Sequence, residues 1–277
     1  MPNCKTVQLV VCDIDGTLTH SDHSLDMRTI RAMEALHKQG VLLGLASGRP
    51  VDDLKGYRDT WHIDFPFDLL IGMNGAELWD ESTQKKSTFH LLKRTWMKEI
   101  IEFMSVFDLN PFIYQDDVMV ALRMDDEMKA SSRRNEKQVI VTDDPSMLYA
   151  HDNAKILYRM PTDQIDEVEA YAKAHCGKQY KVFKTQPTML EFAHVKTDKV
   201  NALRKYCEIH QIDPQMVIAF GDASNDNGIL LYSGLGICLK NGTEDTKAIA
   251  DLVLTKDNDE DGFADYVETH LSQNLLQ

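Results

Sequence analysis

The chain of 277 residues has no apolar run approaching the roughly 20 residues that a membrane-spanning helix requires. Its early run from Val7 to Cys12 stops at a carboxylate, so an integral membrane protein is not expected. A basic segment followed by a long apolar stretch is also missing, and Asp13 comes too early for a secretory leader, which makes the cytoplasm the expected location. Cysteine is sparse: Cys4, Cys12, Cys176, Cys207 and Cys238 are odd in number, scattered and without a Cys-x-x-Cys pair, as free thiols in a reducing compartment would be. Positive charge is short as well. With 30 basic against 44 acidic side chains the net charge is −14, a field that repels nucleic-acid backbones and anionic membrane surfaces, so neither is an expected partner. A small anion is still admissible where a local positive site overcomes that field. His20 and His23 have no helical His-x-x-x-His spacing and no cysteine partner, which favours a solvated loop over a metal site.

What is present is an ordinary globular composition, 43% apolar and 27% charged, which excludes a disordered or fibrous chain. The length suits one large domain or two modest ones. Val7 to Cys12 is β-branched and almost continuously apolar, as a strand buried on both faces of a parallel sheet should be. Ser24 or Asp26 then caps a helix carrying Ile30, Met33, Ala35 and Leu36, and Gly40 ends it. Val41 to Ala46, a further helix-like stretch, Asp68 to Ile71 and the turn pair Asn74-Gly75 continue a strand–helix rhythm. The rhythm breaks near Ser82. From there to about His194 a helical pattern (Trp96, Ile100, Ile101, Met104) mixes with strand-like pieces at 112–122, 156–160 and 180–192, and from Lys199 the first rhythm resumes. The expected fold is therefore α/β: a Rossmann-like, doubly wound parallel sheet formed by 1–81 and 194–277, with an inserted α+β domain at 82–193. Trp96, Phe103 and Phe107 near helical spacing point to the core of that insertion.

Three motif segments stop at the ends of expected parallel strands: Asp13-Ile14-Asp15-Gly16-Thr17, Ser47-Gly48-Arg49 and Gly221-Asp222-Ala223-Ser224-Asn225-Asp226. Carboxyl ends of strands line the ligand crevice of an open α/β sheet, so these distant segments should converge. Four carboxylates brought together would take up protons unless a cation neutralised them. Mg²⁺, which accepts a few carboxylates and completes its shell with water and phosphate, suits Asp13, Asp222 and the backbone oxygen of Asp15, with Asp226 assisting. A carboxylate beside such a metal can attack phosphorus, which makes Asp13 the candidate nucleophile and Asp15 the candidate acid and base. The three equatorial phosphate oxygens need donors around them. Ser47, the Ser47-Gly48 amides, Asn225 and a lysine are candidates, with Ile14 and Thr17 beside them on the first motif. Arg49 either neutralises phosphate or pairs with Asp52 or Asp53, and Thr17 either bonds Asp15 or caps the turn.

These motifs resemble those of the haloacid dehalogenase superfamily, in particular its Cof-type hydrolases with the larger α/β cap. Asp13-Ile14-Asp15-Gly16-Thr17-Leu18 is similar to that family's first motif, Ser47-Gly48-Arg49 to the second, Lys199 within 196–203 to the third-motif lysine, and Gly221 to Asp226 to the fourth. The likeness runs over essentially the whole chain, including Asn74-Gly75-Ala76 and 259–264. It implies a Mg²⁺-dependent phosphatase acting through an aspartyl-phosphate on a small phosphorylated metabolite such as a sugar phosphate, with the insertion as a cap that sets specificity. A monomer or weak homodimer is expected. The chain departs from the family at Val200, where glycine is common, and at Leu239-Lys240-Asn241-Gly242. Lys196 remains a second candidate for the lysine. Two other functions stay open: a phosphomutase, in which a substrate hydroxyl replaces water, and a noncatalytic binder of phosphorylated metabolites.

Overall fold

The computed structural model describes residues 7–271, so Cys4 lies outside the described residues. The chain divides into two compact units, one joining the chain up to Phe89 to the chain from Asp198 onward, the other being His90–Thr197. In chain order the first unit contributes β1 (Leu9–Cys12), α1 (Met27–Lys38), β2 (Leu42–Ala46), α2 (Val51–Thr60), β3 (Leu69–Gly72), β4 (Glu77–Asp80) and β5 (Lys85–Thr88). The second unit follows with α3 (Arg94–Met104), β6 (Asn110–Gln115), β7 (Val118–Ala121), α4 (Asp126–Asn135), β8 (Val139–Val141), β9 (Lys155–Arg159), α5 (Ile165–His175), β10 (Tyr180–Gln186) and β11 (Met189–His194). The chain then returns to the first unit as α6 (Lys199–His210), β12 (Val217–Gly221), α7 (Asn227–Tyr232), β13 (Leu235–Cys238), α8 (Glu244–Ile249), β14 (Leu252–Val253) and α9 (Gly262–Tyr266).

The first unit's sheet runs β14-β13-β12-β1-β2-β3-β4-β5, parallel from β14 to β3 and antiparallel at its last two pairings. Early strands are laid down on one side of β1 and late strands on the other, so the order reverses between β1 and β12, where a crevice opens at the strands' carboxyl ends. Both strands are buried throughout because each face is covered. Val10 and Cys12 pack with Ile30, Met33 and Leu36 of α1 and with Phe263, whereas Leu9 and Val11 pack with Leu203 and Tyr206 of α6 and with Ile229. That two-sided burial is the reason the sequence there is continuously apolar rather than alternating. Asp26 caps α1 by accepting the Arg28 N–H at 2.7 Å, and Gly40, at φ +78°, follows its end.

The insertion begins at His90 rather than 82 and ends at Thr197 rather than 193. The hairpin β4–β5 extends the first unit's sheet, and β5 carries Lys-Lys-Ser-Thr, polar and exposed as an edge strand is, so no apolar alternation marked it. The second unit's sheet runs β10-β11-β9-β6-β7-β8, with only β7 and β8 parallel. Helices α3 and α5 cover one face through Met97, Ile100, Val168 and Ala172, which pack on Ile156, Tyr158, Leu190 and Phe192. On the opposite face Phe112, Met119, Leu157 and Met189 cluster with Met128 of α4, a helix so polar that it carries no apolar stripe.

Candidate active site

The Asp13 N–H donates to the Phe220 carbonyl at 3.0 Å, which extends the β1–β12 ladder one step and sets Asp13 just beyond both strands. A tight turn follows. The Ile14 carbonyl accepts the N–H groups of Thr17, Leu18 and Thr19 and the Thr19 hydroxyl, while the Ile14 side chain is sealed in the core, so only its main chain is available to a ligand. Gly16 lies at φ +87°, and a Cβ there would come within 2.7 Å of Asp222 Oδ2. Only glycine serves both the turn and the close approach of Asp222. Thr17 Oγ1 donates to Asp222 Oδ1 at 2.7 Å, not to Asp15, and so ties the first motif to the fourth. At the end of β12 Gly221 makes room for Asp226, whose Oδ2 accepts the Asp222 and Ala223 N–H groups, each at 3.1 Å. Lys199 opens α6, positioned by Asp198, whose carboxylate caps the helix through the Val200 N–H.

Lys199 is fully buried, and its ammonium donates to Asp13 Oδ1 at 2.5 Å and to Asp226 Oδ1 at 2.7 Å. Burial alone would make the ammonium lose its proton more easily, but Asp13 and Asp226 hold it charged, well above the ordinary lysine value. Asp13 is pushed up by burial and by the Asp226 and Asp222 charges, with Lys199 opposing. Asp222 is pushed up to about 6 by burial and then by Asp226, with Thr17 opposing. One oxygen each from Asp13, Asp222 and Asp226 lies within 4.8 Å of the others. One lysine against three carboxylates leaves surplus negative charge, and an oxygen-only donor set fits a hard divalent cation such as Mg²⁺. Both Asp226 oxygens are already engaged by Lys199 and the two amides, which leaves Asp13 and Asp222 as the less committed carboxylates.

Asp15 points elsewhere. Arg49 grips it in a fork, Nε to Oδ2 at 3.1 Å and Nη2 to Oδ1 at 2.9 Å, and His23 Nδ1 stands 3.3 Å from Oδ1. Burial would raise this carboxyl, but the Arg49 bond and charge outweigh it and hold Asp15 below the usual carboxylate range. The ion pair of Arg49 is thus with Asp15, while Asp52 pairs with Lys86 at 2.8 Å. The buried Ser47 accepts the Arg49 N–H at 3.2 Å, and its carbonyl accepts the Asn74 N–H at 3.0 Å. Asn225 Nδ2 donates to Asn74 Oδ1 at 3.2 Å, and a Cβ on Gly48 would stand 3.4 Å from the same Asn74 amide, so second and fourth motifs meet through Asn74.

Asn74, at φ +54°, stands in the sequence as half of a turn pair and as part of the family likeness, but not among the candidate site residues. His23 sits in a loop whose spacing favours solvation, yet it reaches Asp15, and His20 Nε2 in the same loop stands 2.9 Å from Asp261 Oδ1. Asn241, which donates to the Gly16 carbonyl at 2.8 Å, lies in a segment noted only as a departure from a family pattern. Lys196 belongs to the second unit, is exposed, and its N–H donates to His194 Nδ1, whereas Lys199 is the lysine that meets the carboxylates.

A model of the haloacid dehalogenase-like hydrolases matches residues 10–267. Among curated proteins the chain is 22% identical over 269 residues to the 5-amino-6-(5-phospho-D-ribitylamino)uracil phosphatase YitU of Bacillus subtilis, covering 95% of this chain and 97% of that one. It is 27% identical over 270 residues to a phosphoglycolate phosphatase of Methanopyrus kandleri, covering 96% and 97%. Among solved structures, a haloacid dehalogenase-like hydrolase from Bacteroides thetaiotaomicron superposes with a TM-score of 0.85 at 25% identity, covering 95% of this chain and 98% of that chain.

Proposed function

Because the chain belongs to the haloacid dehalogenase-like hydrolases, we propose that it is a Mg²⁺-dependent phosphatase that hydrolyses a small phosphorylated metabolite through an aspartyl-phosphate. The observation that carries this reading is the convergence of Asp13, Lys199, Asp222 and Asp226 where the strand order reverses. Asp13, Asp222 and the Asp15 carbonyl would hold Mg²⁺, and Asp226 assists from behind by fixing Lys199 and the loop amides. When bound, the cation supplies positive charge to the phosphoryl oxygens. Asp13 attacks phosphorus, the ester P–O bond breaks, and Asp15 gives its proton to the leaving oxygen. Water then attacks the phosphorus of the aspartyl-phosphate, Asp15 takes its proton, and Asp13 is released. Ser47, the Gly48 amide, Asn225 and Lys199 are the donors for the phosphoryl oxygens, with the Ile14 and Thr17 main chain nearby.

The Arg49 fork adds a condition. Held low, Asp15 is a base as it stands, suited to the second half of the reaction. It becomes a better acid when an incoming phosphate draws Arg49 away, for the strongest influence holding the carboxyl low is then gone and only His23 still opposes its desolvation. Arg49 in this reading contacts phosphate by leaving Asp15.

The insertion, as a cap, sets which ester is accepted. The relatives named above act, by name, on a phosphoribityl compound and on phosphoglycolate, both small phosphate monoesters. Nothing observed favours a mutase or a noncatalytic binder. The test is a panel of phosphorylated metabolites assayed for free phosphate. Release from at least one sugar or organic-acid phosphate, absent in Asp13→Asn, supports the proposal. Isomerised phosphate without release would replace it with a mutase, and binding without either would replace it with a noncatalytic role.

A further inference from the structure

Among the described residues the buried cations are Lys137, Lys155, Arg159 and Lys199. Three have a carboxylate: Lys137 pairs with Asp117 at 2.7 Å, Lys155 with Glu191 at 3.0 Å, and Lys199 with Asp13 and Asp226. Arg159, in the second unit, has none within ion-pair distance. Its Nη1 donates to the Gln186 amide oxygen at 3.1 Å and to the Thr188 hydroxyl at 3.0 Å, and its Nη2 to the Met189 sulfur at 3.3 Å. Its Nε is buried without a partner. Glu127 and Glu191 act on it only from longer range.

A second guanidinium joins it. Arg134, exposed on the last turn of α4, donates Nη1 to the same Gln186 oxygen at 3.2 Å. Two guanidiniums therefore share one neutral amide oxygen, and burial followed by the Arg134 charge holds Arg159 below the ordinary arginine value. The end of β9, the turn between β10 and β11, and α4 together impose this arrangement. A buried charge without a counter-charge is costly, and neutral acceptors offset it only in part.

We propose that Arg134 and Arg159, with the Thr188 hydroxyl, form an anion site in the second unit that takes the carboxylate or phosphate group of a small molecule. The planar guanidinium fork matches both groups, Arg159 Nε is a donor left over for one of their oxygens, and the exposed Arg134 opens the site to solvent. The site requires nothing of the carboxylate cluster in the first unit.

The test is thermal unfolding of the full chain in EDTA, with inorganic phosphate or succinate added stepwise. The wild type should be stabilised in a concentration-dependent way. Arg134→Ala, at an exposed position, should keep the fold and need at least tenfold more of the same anion for the same shift. Arg159→Met should lose the dependence while being no less stable without anion, since a buried charge is removed. If Arg159→Met fails to fold, Arg134→Ala decides. The same anion response in wild type and Arg134→Ala overturns the site, as does no response in the wild type to either anion. Any phosphate bound at the first unit's cluster is common to both proteins and drops out of that comparison. No turnover is needed, so failure here is distinct from failure of the phosphatase reading. A kinetic arm separates sources of the anion. If Arg134→Ala raises KM tenfold only for phosphate esters that also carry a carboxylate or second phosphate, the group belongs to the substrate. If KM is unchanged for all esters while the thermal effect persists, the anion is a separate effector.

Discussion

Lys199 is the residue on which the candidate site turns, since a single ammonium separates two buried carboxylates that would otherwise repel. Removing one partner of a buried ion pair leaves an uncompensated charge, at a cost of about 3–5 kcal/mol. Part of this is relieved because Asp13, already pushed up, can take a proton. Lys199→Ala should therefore melt at a lower temperature and lose about 10²-fold or more in turnover, on the scale of one lost charge-stabilising donor. Lys196→Ala, at an exposed position, should stay within about 0.5 kcal/mol of the parent in stability and close to it in rate. Melting curves and phosphate release on one ester compare the two, and a worse Lys196→Ala enzyme would reassign the lysine. At the same scale Asp15 shows how far type and position could be read in advance. Its place two residues after Asp13 was plain in sequence, but its partner Arg49 lies 34 residues away, and only the side-by-side ends of β1 and β2 bring them together.

Elements place these residues through a few contacts that tolerate no extra atom. Gly75, in the turn after β3, lies at φ +96°, and a Cβ there would sit 2.1 Å from the Asp198 carbonyl oxygen at the start of α6. Alanine would meet a left-handed penalty of about 1–2 kcal/mol and an overpacking penalty of about 1–3 kcal/mol. Gly75→Ala should accordingly lose a few kcal/mol in urea denaturation, and because the strain falls on the cap that opens α6, turnover should fall with it. Normal activity at reduced stability would separate the turn from the position of Lys199. Packing between α1 and α9 offers a pH-dependent case. Asp265 is held below the usual carboxylate range by its bond to Lys256, with Arg28 of α1 adding to it. A carboxyl with a lowered folded-state value stabilises fully above its unfolded value of about 4 and loses that contribution as pH falls through the lowered one. Asp265→Asn should therefore melt below the parent at pH 7, and the gap should close as pH drops below the carboxylate range. A gap that stays constant with pH would assign the loss to packing rather than charge.

At the scale of the molecule, two units with separate cores give two places at which a ligand can act. On the proposed reading, Mg²⁺ binding at the Asp13–Asp222 cluster would stabilise the first unit by about 2.7 kcal/mol at a hundredfold excess over its dissociation constant. Calorimetry should show the melting of that unit rising by several degrees with Mg²⁺ and falling back with EDTA, while Ca²⁺, which prefers more ligands at longer distances, should restore little turnover. Unchanged melting and full activity in EDTA would remove the metal from the proposal. The sequence by itself determined the α/β rhythm and the existence of an insertion, and it singled out Asp13, Asp15, Lys199, Asp222 and Asp226 as candidates, because buried parallel strands write unbroken apolar runs and loops at their ends line the crevice. Tertiary structure alone decided that the second unit starts at His90, that Thr17 serves Asp222, that Arg49 clamps Asp15, that Asn74 joins Ser47 to Asn225 and that Arg159 is buried with no carboxylate of the described residues at ion-pair distance. Each depends on which side chains meet across strands far apart in sequence, and edge strands such as β5 and polar helices such as α4 carry no periodic apolar signal that would announce such a meeting.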